Sequence, residues 1–180
     1  MLEELLVRKK RPIVEKWFQR VLDTYPSDTA HFLRREKDPF ANPVGSAILE
    51  GVEGLYDRLI HGGGDPRDLN LFLDRVIRIR AVQDFTPSGA LRFVLSLKDV
   101  VREEVGREAF EKGLGHEMEA FEGRIDELLL VAFDVYMKCR EQIYELRVHE
   151  VKAEKDAALR LLERAQGRQT RPLEEEHSNG

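Results

Sequence analysis

Apolar residues recur every three or four positions along most of the chain, which is the spacing that places them on one face of an α-helix. Gly51 and Gly54 accompany the first of these rows and predict close approach of a neighbouring helix. No stretch alternates apolar and polar residues for long enough to predict a strand. The pattern predicts an all-α fold, organised as a single helical bundle. Three rows occupy the middle of the sequence: Val44, Ile48, Val52, Leu55 and Leu59; Leu69, Phe72, Leu73, Val76 and Ile79; and Leu91, Val94, Leu97, Val101 and Val105.

Three helix starts share one signal, a capping residue followed directly by proline. They are Asn42-Pro43, Asp65-Pro66 and Thr86-Pro87. The capping oxygen accepts a hydrogen bond from a free amide of the first turn, and proline fits the next position because its missing N–H is not needed there. The spacing predicts two helices of about 18 residues and the start of a third.

The last helix is predicted to be far longer than the others. Residues 117–166 contain no proline and a single glycine, Gly123. A helix of about 50 residues is roughly 75 Å long, whereas a domain made from the rest would be roughly 30–35 Å across. We therefore expect a helical domain over residues 1–146, a protruding helix over 147–166 and a disordered tail over 167–180.

The final helix carries two apolar rows, and each requires a partner. A core-facing row contains Phe121, Ile125, Leu128, Ala132, Val135, Cys139, Ile143 and Leu146. A second row repeats every seven residues, the period of a coiled-coil seam. It predicts a dimerising or signalling surface rather than intrachain packing, because no segment after Arg147 remains to cover it. This surface consists of Met137, Tyr144, Val148, Val151, Ala158 and Leu162, with polar residues at Asp134, Glu141 and Lys155.

Composition excludes several classes of protein. The net charge of −5 argues against nucleic-acid binding, and the single cysteine, Cys139, excludes an internal disulfide. We expect no transmembrane span, because no window approaches 18 uninterrupted apolar residues. The N-terminus lacks the features of a signal peptide, so a cytoplasmic location is expected. The basic run at residues 8–11 is interpreted as a solvated helix face.

No arrangement typical of catalysis is evident, and we expect no enzyme activity, no metal and no cofactor. The five histidines occupy no metal-binding spacing. His116, at a helix start, and His61, before a glycine run, remain as candidate haem ligands. Ordinary polar surface positions are the favoured interpretation of both.

Arg80 is the polar residue most worth attention, because it falls beside the apolar row of its helix. A buried arginine needs a carboxylate or carbonyl partner. Asp84, one turn later, is the simplest candidate and Asp38 is another. In the structural interpretation the pair fixes the loop before Thr86. In the functional interpretation the charge lines a ligand cavity.

Two segments and one aromatic residue carry a family resemblance: residues 38–45 (DPFANPVG), residues 79–88 (IRAVQDFTPS) and Trp17. Over about residues 1–145 the chain resembles the N-terminal domain of RsbRD-type co-antagonists of the kinase RsbT. The resemblance implies a helical sensory module of bacterial stress signalling. Related RsbR-type domains are globin-like, bind no haem, dimerise, and signal along an exiting helix to a STAS domain.

The sequence ends at Gly180, which leaves no room for a STAS domain after the helix. A separate kinase or STAS-type protein is therefore the expected partner, besides a second copy of the chain. The leading hypothesis is a non-enzymatic, cytoplasmic, dimeric signalling module that transmits a cue through its last helix. The alternatives are a haem- or small-ligand-binding sensor and a structural adaptor that docks on a larger complex.

Overall fold

A computed structural model describes residues 1–62, 66–83 and 85–169, with the side chains of 66–70 and 167–169 excepted. Within these residues the chain forms helices and no strand, which confirms the all-α prediction. The seven helices are α1 (Leu2–Arg8), α2 (Lys10–Leu22), α3 (Ser27–Arg35), α4 (Pro43–His61), α5 (Pro66–Val82), α6 (Pro87–Glu111) and α7 (Gly115–Gln169).

The chain divides into two units, Met1–Arg140 and Glu141–Gly180. In the first unit α4 packs against α5, while α2 packs against both α6 and α4. Trp17 of α2 is fully buried between these helices. Its indole Nε1 donates a 2.7 Å hydrogen bond to the Phe93 carbonyl oxygen, and the two rings stack with centroids 6.2 Å apart. One large side chain therefore anchors α2 to α6 through both its apolar face and its polar atom.

Two of the three predicted helix starts are confirmed in atomic detail. Asn42 Oδ1 accepts from the Gly45 amide at 2.8 Å, and Thr86 Oγ1 accepts from the Gly89 amide at 3.1 Å. The Asn42 amide group also donates to the carbonyls of two residues at the end of α3 and just after it. The third cap, Asp65, lies outside the described residues, although α5 does begin at Pro66.

The predicted close approach at Gly51 and Gly54 is also confirmed. A Cβ atom on Gly51 would lie 2.4 Å from Val76 Cγ2, and one on Gly54 would lie 2.5 Å from the Phe72 ring. These distances are too short for a real side chain, so α4 and α5 pack at a separation that only glycine permits at both positions.

Helix α6 ends in a glycine turn that leads into α7. Gly113 has a φ of 69°, and the Leu114 amide donates to the Ala109 carbonyl at 2.8 Å. This is the hydrogen bond of a Schellman motif, in which glycine supplies the left-handed conformation.

The first part of α7 belongs to the first unit and contributes its predicted row to the core. Phe121, Ile125, Leu128, Ala132 and Cys139 are buried. The extension of this row to Leu146 is wrong, because that side chain is 64% exposed. Leu146 belongs to the second unit, whose described residues form a single helical segment with no second element to cover it.

In the second unit, residues 141–169 are helical and every side chain from 144 to 166 is exposed. The predicted disordered tail falls almost entirely outside the described residues, which end at 169.

Candidate functional site

The most distinctive surface of the second unit is an exposed apolar row on α7, which we call the α7 seam. Its members are Tyr144, Val148, Val151, Ala158 and Leu162, all of them exposed. Val151, near its middle, is 65% exposed. Met137, the sixth residue predicted for this surface, lies in the first unit and is 39% exposed. Contiguous apolar side chains in water are typical of an interaction surface.

Two further leucines extend this surface beyond the predicted set. Leu159 and Leu161 are also exposed. The seven-residue repeat did not identify them, because each lies one position to the side of a seam residue. The apolar face of the second unit is therefore wider at its C-terminal end than a strict coiled-coil repeat predicts.

The second feature is Arg80 of α5, which is fully buried in the first unit. Its Nε donates to the Ala90 carbonyl at 2.9 Å. Its Nη2 donates to the Gly89 carbonyl and to Thr24 Oγ1, both at 2.9 Å. A single guanidinium thus joins the end of α2, the end of α5 and the first turn of α6.

Aromatic rings complete the surroundings of this guanidinium. Its Cζ lies 4.1 Å from the centroid of the Phe85 ring, 5.4 Å from that of Tyr25 and 5.8 Å from that of Phe93. Cation–π attraction stabilises a charge in such a position. Burial nevertheless lowers the pKa of Arg80. Burial also raises the pKa of the Tyr25 hydroxyl, and the nearby charge of Arg80 partly offsets that increase.

Of the two carboxylates expected as partners of Arg80, only Asp38 lies among the described residues, and it is not a partner. Asp38 is exposed in the α3–α4 loop, where its Oδ1 accepts from the Phe40 amide at 3.0 Å. Main-chain carbonyls and a threonine hydroxyl take its place as acceptors, because the first turn of α6 already lies against the guanidinium. The other expected partner, Asp84, lies outside the described residues. Among the described residues Arg80 Nη1 has no hydrogen-bond partner, and the nearby Tyr25 hydroxyl forms no bond of good geometry with it.

The two candidate haem ligands are both surface residues. The His116 side chain is 97% exposed, with its Nδ1 4.0 Å from Glu119 Oε2. His61 is exposed at the end of α4, where its Nδ1 lies 2.9 Å from the Asp57 carbonyl oxygen. In the described part of the chain, no group of three or more His, Cys, Asp or Glu side chains could hold a metal.

An open groove of about 710 Å³ lies between α2, α3 and α4. Its charged lining is largely neutralised within the chain: Lys16 pairs with Glu104 at 2.7 Å, and Arg34 pairs with Asp23. These pairs leave the groove with no concentrated charge of one sign that would select a ligand.

Three of the four residues in the basic run at 8–11 form ion pairs within the chain, as expected for a solvated surface. Arg8 lies 2.5 Å from Glu108, Lys10 lies 2.8 Å from Asp57, and Arg11 lies 3.0 Å from Glu15.

Among the described helices, none has a segment of the length and hydropathy needed to cross a bilayer.

Comparison with known proteins agrees with the resemblance seen in the sequence. The profile of the RsbT co-antagonist protein rsbRD N-terminal domain matches residues 11–151. An uncharacterised protein of Archaeoglobus fulgidus is 27% identical over 157 residues, which cover 87% of this chain and 93% of the relative. No solved structure gives a significant match. Since the profile spans well over half of the sequence, the chain belongs to the RsbT co-antagonist protein rsbRD N-terminal domain family.

Proposed function

We propose that this protein is a non-enzymatic sensory module that dimerises and passes a cue or a partner-binding event through α7. The observation that carries the proposal is the α7 seam, an exposed apolar row in a member of a signalling family. Burying such a row in a helix pair removes apolar surface from water at about 25 cal/mol per Å². A second copy is the simplest partner with a matching row.

Transmission requires two arrangements of the helix pair that an input can bias. The output in this proposal is a shift or rotation of residues 144–165, read by a separate kinase or STAS-type protein in the cytoplasm. Membership of the family supports a regulatory role, and the relation of the family to RsbT supports a signalling protein as the partner.

Native mass spectrometry of the full-length protein tests the proposal. We compare the wild type with Val151→Glu, which places a charge in the α7 seam, and with Ala157→Glu, which places the same charge on the outer face of the same helix. Dimers are expected for the wild type and for Ala157→Glu, and monomers for Val151→Glu, since a carboxylate is costly to bury.

The other outcomes separate the alternatives. A wild-type protein that is monomeric at micromolar concentration contradicts dimerisation and favours an adaptor whose helix binds a different protein. Dimers that persist in Val151→Glu place the contact away from the α7 seam. An adduct of several hundred daltons indicates a bound ligand, and the absorption spectrum then shows whether that ligand is haem.

A further inference from the structure

The charged residues that flank the α7 seam favour one relative orientation of two copies of the chain. The α7 seam falls on two alternating sets of heptad positions. One set contains Val148 and Leu162, with the polar residues Glu141 and Lys155 at the same heptad position, and the other contains Tyr144, Val151 and Ala158. Arg147 and Glu154 flank it on one side, and Glu145 and Lys152 flank it on the other. All four flanking residues are exposed, and none forms an ion pair with the described part of its own chain. Their charges therefore remain available to a second helix.

A parallel arrangement of two copies brings like charges together. In a parallel coiled coil, each seam residue meets the same residue of the other chain, so Lys155 would face Lys155 within the seam. On the flank, Arg147 would lie beside Lys152 of the second copy, five residues further along. Arg140 could approach Glu145 in this arrangement, but its Nη1 already donates to the Ala81 carbonyl at 3.0 Å.

An antiparallel arrangement centred between His149 and Glu150 removes these conflicts. Val148 then packs on Val151 of the second copy, and this contact occurs twice by symmetry. Lys155 lies against Tyr144 of the second copy, where its methylene stem covers the ring and its ammonium reaches solvent. Every layer thus contains at least one apolar side chain.

The flanking charges select this same register. Arg147 faces Glu154 of the second copy and Glu145 faces Lys152, so symmetry gives four opposite-charge contacts. If one helix is shifted by seven residues so that the centre of the contact moves towards the C-terminus, Glu154 instead lies beside Glu154 of the second copy, and Lys152 lies beside Lys152. A shift of seven residues in the other direction places Arg147 beside Arg147 and Glu145 beside Glu145. Of these three neighbouring registers, the central one alone pairs opposite charges, which is the usual means by which such positions set partner orientation.

We infer that the α7 seam binds a second copy of the chain in antiparallel orientation, centred between His149 and Glu150. The inference rests on the proposed dimerisation and adds its direction and register. In this arrangement the C-terminal ends of the two α7 helices point in opposite directions.

Disulfide cross-linking of the full-length protein tests the orientation. Tyr144→Cys and Lys155→Cys are prepared separately in a Cys139→Ala background, one of them isotopically labelled, and are oxidised alone and as a mixture. The antiparallel register predicts a 144–155 cross-link in the mixture only, because in each variant alone the two cysteines would be roughly 16 Å apart along the axis. Efficient cross-linking of either variant to itself would overturn the antiparallel register.

Charge reversal provides a second test, because it should change the affinity of the dimer in opposite directions for the two orientations. Lys152→Glu should weaken an antiparallel dimer by about tenfold, since two attractive contacts become repulsive, and adding Glu145→Lys should restore it. In a parallel dimer Lys152→Glu would strengthen association through Arg147, and that outcome would refute the inference. A monomeric wild type would instead contradict dimerisation itself, so the two failures are distinct.

Discussion

Replacement of Arg80 by alanine is the perturbation that most directly tests the interior of the first unit. The side chain is fully buried, donates three hydrogen bonds of 2.9 Å, and has Phe85 4.1 Å from its Cζ. Its removal leaves a cavity among α2, α5 and α6 and removes the link between them.

Two opposing effects set the magnitude. Truncation of a large buried side chain costs about 2–5 kcal/mol, but the substitution also removes a buried charge whose described acceptors are carbonyls and a hydroxyl, which recovers part of its desolvation cost. Thr24 Oγ1 keeps a partner, because it also donates to the Val21 carbonyl at 2.6 Å. The Gly89 and Ala90 carbonyls lie in the first turn of α6, where the helix offers each an amide four residues later. We expect a net loss of about 3 kcal/mol. For a chain of this length this corresponds to a fall in Tm of roughly 6–12 °C.

Thermal unfolding followed by circular dichroism measures this loss against two comparison variants. Arg80→Met retains most of the volume but removes the charge, so it should lose less than Arg80→Ala. Arg78→Ala is the matched control on the same helix, because that side chain is 60% exposed and, among the described residues, pairs with Asp74 alone, at 3.1 Å. An exposed pair of this kind contributes about 0.2–1 kcal/mol.

An Arg80→Ala protein with a Tm within about 1 °C of the wild type would refute a structural role. An Arg80→Met protein more stable than the wild type would mean that the charge destabilises the fold. The functional interpretation, in which the charge serves a ligand, would then be favoured.

Three further results are expected from the same purified protein. Gly51→Ala should lower stability by about 1–3 kcal/mol, because the new Cβ would lie 2.4 Å from Val76 Cγ2. At Gly123 a new Cβ would lie within 4 Å of no described atom beyond the neighbouring backbone of its own helix, so Gly123→Ala should raise stability by about 0.5–1 kcal/mol, as measured by the same melts. Burial raises the pKa of the Cys139 thiol in the folded protein above the ordinary value of 9.0. As the pH rises past that value, the thiol of the unfolded chain loses its proton before the thiol of the folded chain does, so the stability of the fold should decrease. Urea melts at pH 8 and pH 10 should show a smaller fall for Cys139→Ala.

Local physics made most of the fold predictable from the sequence. The row from Leu91 to Val105 is buried at every predicted position, because a helix on a core has no other way to hide residues spaced by three and four. The helix caps at Asn42 and Thr86 were equally predictable, because each consists of a hydrogen bond between residues only three positions apart.

The features that the sequence did not predict depended on long-range packing. Thr24 lies 56 residues from Arg80, and no local pattern links them. Leu146 continues the core period of α7 without interruption, so the sequence alone could not indicate that burial ends before it. Periodicity identifies the face of a helix, but tertiary contacts decide how far along that face the core extends.

The two capped helix starts share a constraint on how this family can vary. In Asn42-Pro43-Val44-Gly45, a Cβ on the glycine would lie 2.3 Å from the Asn42 side-chain nitrogen. In Thr86-Pro87-Ser88-Gly89, it would lie 2.9 Å from the threonine Oγ1. A side chain at either glycine would therefore require the capping side chain to move, and we expect the two residues of each pair to vary together. Joint preservation of these residues among relatives would reflect the geometry of a helix start and would be no sign of a ligand site.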